Sequence, residues 1–128
     1  MENKMIKVVL VEPQKKAVVA EIGSTLEDMQ EVVGGLIQIL YPFDEDVAIV
    51  CNDEGKILPL PANRGLYIDG WDEISDIICG TFFIAGCDED RLVSLSDEQI
   101  MRYKQKFLFP EKFIVSNDTV KAIRYDYF

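Results

Sequence analysis

The feature that most constrains the fold is the run IICGTFFIA at residues 77–85, the most apolar stretch of the chain and one without a charge. It falls far short of the roughly 20 residues needed to span a bilayer, and its length and β-branched and aromatic content predict a buried strand. Gly80, inside the run, permits a bulge or a close backbone approach.

A buried strand needs partners, and other runs can supply them. Residues 6–11 and 17–22 are rich in β-branched side chains and are separated by Glu12, Pro13 and two lysines, which predicts a β-hairpin. Residues 36–41 and 47–51 predict two more strands, joined across a loop that carries Asp44, Glu45 and Asp46 in a row. Asn52-Asp53-Glu54-Gly55 is placed to close a hairpin onto residues 56–60, with Gly55 supplying a positive φ. Pro59 and Pro61 argue against a continuing central strand, so residues 62–70 are expected as an extended or looped segment. Residues 87–91 read as a charged loop, and residues 113–115 and 120–127 as either a last strand or irregular packing.

Two helices are predicted. Ser24-Thr25-Leu26-Glu27 has the form of a capping box, Leu26, Met29, Val32 and Val33 share a face, and Gly34-Gly35 ends the element. Ser96-Asp97-Glu98-Gln99 forms a second capping box ahead of Ile100, Tyr103 and Phe107, with Pro110 beyond them. The alternation predicts an α+β fold: a mixed, mostly antiparallel sheet of about five or six strands with two amphipathic helices. At 128 residues, one domain over 1–128 is expected.

Composition removes whole classes of function. The chain has no histidine, which excludes histidine acid–base catalysis, Ser-His and Cys-His pairs, and histidine metal sites. No nucleophile–base pair is visible, so an enzyme is not expected and no cofactor is implied. The 3 cysteines, Cys51, Cys79 and Cys87, form no C-x-x-C pair and read as buried thiols in a reducing compartment. The N-terminus lacks a signal-peptide pattern, and a cytoplasmic, membrane-free protein is expected. With 23 acidic against 13 basic residues the net charge is -10, which opposes general nucleic-acid binding. Such a surface suits solubility, or mimicry of DNA in the groove of a DNA-binding protein.

Candidate binding groups collect between residues 47 and 64. Asn52, Lys56, Asn63 and Arg64 are expected to hold a small anionic or nucleotide-like ligand, because an arginine fork gives bidentate bonds to phosphate or carboxylate and asparagine reads amide or base edges. The competing reading pairs Arg64 with a nearby acid and uses Asn63 to close a turn. Elsewhere the bland readings prevail. Gly34-Gly35 lies at the wrong end of a helix for phosphate, and Gly80-Thr81 reads as packing. Asp44, Glu45 and Asp46 lack the calcium-loop spacing, Asp72, Glu73 and Asp76 read as surface charge, and Tyr67 and Trp71 as core or rim aromatics.

VGGLI at 33–37, N-x-x-G-K at 52–56, L-P-x-N-R at 60–64 and GTFFIAG at 80–86 together resemble a small domain family, domain of unknown function 3846. LVSLSDEQIMRY at 92–103 resembles its C-terminal element. The likeness spans about residues 6–107. Where the family pattern has Glu this chain has Asp53, which keeps the turn and alters any exact carboxylate contact. The resemblance implies a setting, since members occur in bacteriophages, conjugative elements and bacterial chromosomes. It suggests an accessory protein acting on the host, for instance against a defence system, by analogy of context alone.

The expected function is binding. One version captures a small anionic ligand with the four residues above; the other is an acidic interaction module or DNA mimic that binds a host protein. A homodimer, with a pocket between copies, is compatible with both.

Overall fold

A computed structural model describes residues 5–55, 57–58, 60–67, 74–116 and 119–124. Its centre is a six-stranded antiparallel sheet in the order β2-β1-β7-β4-β3, with β8 paired to β7. The strands are β1 (Met5–Val11), β2 (Val18–Gly23), β3 (Ile37–Leu40), β4 (Val47–Asn52), β7 (Phe82–Asp88) and β8 (Arg91–Val93). Between them in sequence lie β5 (Ala62–Tyr67) and β6 (Ile74–Cys79), which form a separate antiparallel pair, and a third pair is made by β9 (Glu111–Ser116) and β10 (Thr119–Arg124). The two helices are α1 (Leu26–Val33) and α2 (Asp97–Lys106). The α+β architecture read from the sequence is observed, and every strand pairing among the described residues is antiparallel.

Both faces of the main sheet are covered. Side chains alternate across a strand, and here the alternation separates two cores. On one face Val9, Val11, Val47, Ile49, Phe82 and Ile84 pack with Ile100, Tyr103 and Phe107 of α2 and with Leu66 and Ile78 of the β5–β6 pair. On the other, Ile6, Val8, Ile22, Val50, Phe83 and Ala85 receive Met29 and Val33 of α1. Double cover explains why β4 is buried at every position and reads as an unbroken apolar run.

The helix ends follow from their caps. Ser96 and Gln99 make the reciprocal box, with the Gln99 amide donating to Ser96 Oγ (3.2 Å) and the Ser96 amide to Gln99 Oε1 (2.9 Å). At α1 the cap is Thr25 and not Ser24: its Oγ1 accepts from the Asp28 amide at 3.1 Å. Gly34, with φ 80°, closes α1 in the left-handed region.

Four local expectations are corrected. The apolar run 77–85 is two strands in two sheets, broken at Gly80, whose φ of 83° reverses the chain between β6 and β7. Its amide donates to the Pro61 carbonyl at 2.7 Å, so the turn is anchored as well as bent. Asn52–Gly55 does not close a hairpin: β4 pairs with β3 and β7, and the next strand, β5, pairs with β6. Gly55 does not adopt a positive φ. It is needed for space, because a Cβ there would lie 2.7 Å from the Cys79 carbonyl oxygen. Finally, the segment expected as a charged loop is the β7–β8 hairpin, turned at Glu89 with φ 56°, and the tail forms a complete β9–β10 hairpin.

Candidate functional site

Asn63 and Arg64 enter the structure side by side on β5, and both are turned inward. Arg64 is 1% exposed and Asn63 0%. An arginine has five N–H donors and no acceptor, and here they reach carbonyls. Nε and Nη2 donate to the Phe107 carbonyl (3.1 and 3.0 Å), Nη2 also to Lys15 (2.6 Å), and Nη1 to Asn63 Oδ1 (2.9 Å). Asn63 Nδ2 in turn donates to the carbonyls of Val11 (3.0 Å) and Gly80 (2.8 Å). The pair thus ties together the end of β1, the β1–β2 connection, the β6–β7 turn and the C-terminus of α2. Phe107 is the C-cap of α2, where a helix presents unsatisfied carbonyls and partial negative charge that favour a cation. This geometry supports a structural clamp, and it uses the fork that had suggested an anion site.

Asn52 lies apart from the clamp, at the end of β4. Its Nδ2 donates to the Val33 carbonyl at the end of α1 (3.1 Å), and its Oδ1 accepts the Glu54 amide (2.8 Å). Lys56 falls outside the described residues. The structure therefore brings together Asn63 and Arg64, and gives Asn52 a different neighbourhood.

That neighbourhood is a cleft of about 270 Å³ between the β3–β4 end of the main sheet and β6. Leu40, Cys51 and Ile78 supply apolar surface. Gln38, Asn52, Asp53 and Asp76 supply the polar groups, and no basic side chain lines it among the described residues. Asp53 and Asp76 are exposed; Asp76 Oδ1 accepts the Ile77 amide at 2.8 Å. Beside the cleft Ile57 stands 78% exposed. Cys79 also borders it, and none of the three cysteines is bridged by a disulfide. No cluster of metal-ligating side chains occurs among the described residues.

A second polar cluster was hidden in the loop read as solvated acids. The Glu45 carboxylate accepts from Tyr103 Oη (2.7 Å) and Gln99 Nε2 (3.0 Å) and is paired with Arg102. The hydrogen bonds from Tyr103 and Gln99, with the Arg102 guanidinium, hold this carboxyl below its ordinary range. Burial, reinforced by Glu45, pushes the Tyr103 phenol up. Gln99, Arg102 and Tyr103 share a face by their i, i+3, i+4 spacing, the one trace of this cluster in the sequence; its acidic partner lies more than fifty residues upstream.

The family model described as Domain of unknown function (DUF3846) matches residues 6–108. The chain belongs to this family. No curated protein and no solved structure matches it. Every residue of the cleft, the clamp and the Glu45 cluster lies within the matched span, so all three belong to the DUF3846 domain. The β9–β10 hairpin begins beyond it, at Glu111, and is attached by that buried side chain: Glu111 Oε1 accepts the Gly65 amide at 2.8 Å, and Oε2 lies 3.7 Å from Arg124. No helix among the described residues is long and apolar enough to cross a membrane.

Proposed function

We propose that this protein is an accessory factor that acts by binding, and that the cleft between β3 and β6 receives a cationic group of its partner. The observation that carries this reading is the lining: the exposed Asp53 stands beside Gln38 over an apolar floor. A site of a few polar groups on apolar surface is the usual form of a recognition cleft. The net charge of -10 favours the same sign of ligand, because an acidic body raises the local concentration of cations and speeds their encounter.

The small anion first expected from Asn52, Lys56, Asn63 and Arg64 gains little from this arrangement. Arg64 and Asn63 already donate to backbone carbonyls inside the fold, and a phosphate in the cleft would meet the Asp53 carboxylate. An acidic interaction module fits the geometry better.

The test is a titration of the ¹⁵N-labelled protein with N-acetyl-argininamide, read by amide shifts. Shifts centred on Gln38, Asp53 and Asp76, lost in Asp53→Asn/Asp76→Asn and weakened by salt, are the expected result. Shifts spread evenly over the acidic surface and unchanged in the double variant would sink the assignment.

A further inference from the structure

We infer that the C-terminal end of α2, with the β1–β2 connection and β10 beside it, binds single-stranded nucleic acid. This end of the molecule shares no lining residue with the cleft.

Charge is segregated along the chain. Residues 102–124 hold six of the 13 basic side chains and two of the 23 acidic ones. A protein of net charge -10 therefore carries a local excess of cations. Folding adds to it from a distant segment. The Ala17 amide donates to the Leu108 carbonyl at 3.0 Å, and Arg64 Nη2 reaches the carbonyls of both Lys15 and Phe107. The β1–β2 connection is thereby held against the end of the helix, and Lys16 Nζ lies 5.5 Å from the centroid of the Phe109 ring.

Cations and rings alternate here. Arg102 and Lys106 stand one turn apart on α2 and, with Phe43 and Tyr103, border a groove of about 440 Å³. Lys106 Nζ lies 5.8 Å from the Phe43 centroid. The same lysine borders a notch of about 30 Å³ together with Phe109 and Arg124. The order across the surface is thus Phe43, Lys106, Phe109, Lys16. The lysines and both arginines are exposed, and the two phenylalanines are half-buried, fixed in the fold with part of each ring in solvent. Of the carboxylates alongside, Glu45 is engaged by Tyr103, Gln99 and Arg102, Glu111 accepts the Gly65 amide, and Asp44 is exposed, where water and salt screen it.

A single strand matches both components, because its bases stack on aromatic faces while the phosphates between them meet lysine and arginine. A lysine over a ring is held by a weak attraction when exposed, and it exchanges the ring for phosphate as a base takes its place. Cations at the end of α2 also suit the helix dipole. The dipole accounts for neither Lys16, which comes from another segment, nor the rings. A duplex is a poor occupant: its bases are stacked inside it, and a rod of high charge density would run on over the acidic body. An acidic peptide would meet the cations and leave the rings unused. A lone nucleotide would occupy one of two separate rings.

The probe is fluorescein-labelled oligo-dT about eight nucleotides long, read by anisotropy at low salt, with amide shifts of the ¹⁵N-labelled protein to place it. Binding is expected, with shifts centred on Lys16 and residues 102–109. Lys16→Ala and Lys106→Ala should each weaken it several-fold and reduce the slope of log affinity against log salt by about 0.7. A strand of the same length made of abasic units keeps the phosphates and should bind about tenfold more weakly. Asp53→Asn/Asp76→Asn should leave the affinity undiminished, so that this surface and the cleft are tested separately. Absence of binding at low salt would overturn the inference. So would equal affinity for the abasic strand, for a duplex of the same length or for an oligo-glutamate peptide, since the rings would then contribute nothing. Thymidine monophosphate bound as tightly as the strand would make this a mononucleotide site instead. Salt-sensitive dimerisation that shifts the same amides without any strand would give the surface to the acidic face of a second copy, and would likewise overturn it.

Discussion

The β5–β6 pair serves two polar regions that use the same kinds of atom for opposite ends. Its first strand carries the Asn63–Arg64 clamp, whose donors meet carbonyls of four separate segments inside the protein. Its second strand walls the cleft, where Asp53 and Asp76 lie exposed to solvent. The difference teaches that residue type is a weak guide to role until burial is known. A guanidinium fork is as well suited to bare backbone carbonyls as to a phosphate, and a chain with a long β1–β2 connection and a helix end to tether has use for it internally.

Removing the clamp should have the largest effect. Arg64→Ala leaves the Phe107 and Lys15 carbonyls without their donor and opens a void in a fully buried position, and a loss of about 3–5 kcal/mol is expected in urea unfolding. A loss below about 1 kcal/mol would mean that Arg64 is dispensable to the fold, and the contrast drawn above would collapse. Asn63→Ala removes the donors to Val11 and Gly80 and the acceptor for Arg64, and about 2–3 kcal/mol is expected. The double variant should lose less than the sum, because the two side chains share a hydrogen bond and a set of partners; strict additivity would argue that they act separately.

Gly55 joins the two regions, since it packs against the Cys79 backbone at the edge of the cleft. Gly55→Ala puts a Cβ 2.7 Å from the Cys79 carbonyl oxygen, and relief requires a backbone shift costing about 1–3 kcal/mol. Amide shifts in that variant should concentrate at residues 76–80 and leave the clamp unchanged. Shifts that reach Phe107 and Lys15 would show the two regions to be one mechanical unit.

Much of the fold is legible in the sequence for plain reasons. β4 and β7 announce themselves as apolar runs because the centre of the sheet is covered on both faces, β1 and β2 as β-branched runs, and Ser96 and Gln99 mark α2 because the capping box is local chemistry. What escapes is long-range. Nothing near Arg64 in sequence tells of Phe107 or Lys15, and nothing near Gly80 tells that an unbroken apolar run is divided between two sheets. Of the residues singled out for binding, Asn52 does border the cleft, whereas Asp53 and Asp76 were read as turn and surface charge. A lone exposed aspartate carries no signal until the fold sets a second one beside it.

The Glu45 cluster is an intermediate case, polar groups that are partnered and yet near solvent, and its contribution should be present at neutral pH and lost in acid. Its carboxyl is held below the ordinary value by Tyr103, Gln99 and Arg102, so the unfolded chain binds the proton more readily than the folded one. The stabilisation is therefore complete above the ordinary glutamate value, about 4.3, and is lost as pH falls through the lower folded value. Comparing urea midpoints of the protein and of Glu45→Gln across pH checks the sign: the gap should be constant at neutral pH and narrow in acid. A gap that widens in acid would mean that the cluster raises the pKa and that the reading of its hydrogen bonds is inverted.

The smallest effect on stability is expected where the effect on binding is greatest. Asp53→Asn/Asp76→Asn keeps shape and an acceptor oxygen, including one able to receive the Ile77 amide, and both positions are exposed; a change within about 0.5 kcal/mol is expected. If these carboxylates were structural in the sense that Arg64 is, neutralising them would expose unsatisfied donors and the midpoint would fall. If they serve binding, the isolated protein is largely indifferent to their loss, because both positions are exposed. An unchanged midpoint together with lost affinity for N-acetyl-argininamide is the combination that a fold-supporting role cannot produce. A lowered midpoint with affinity intact would exchange the roles of the two regions.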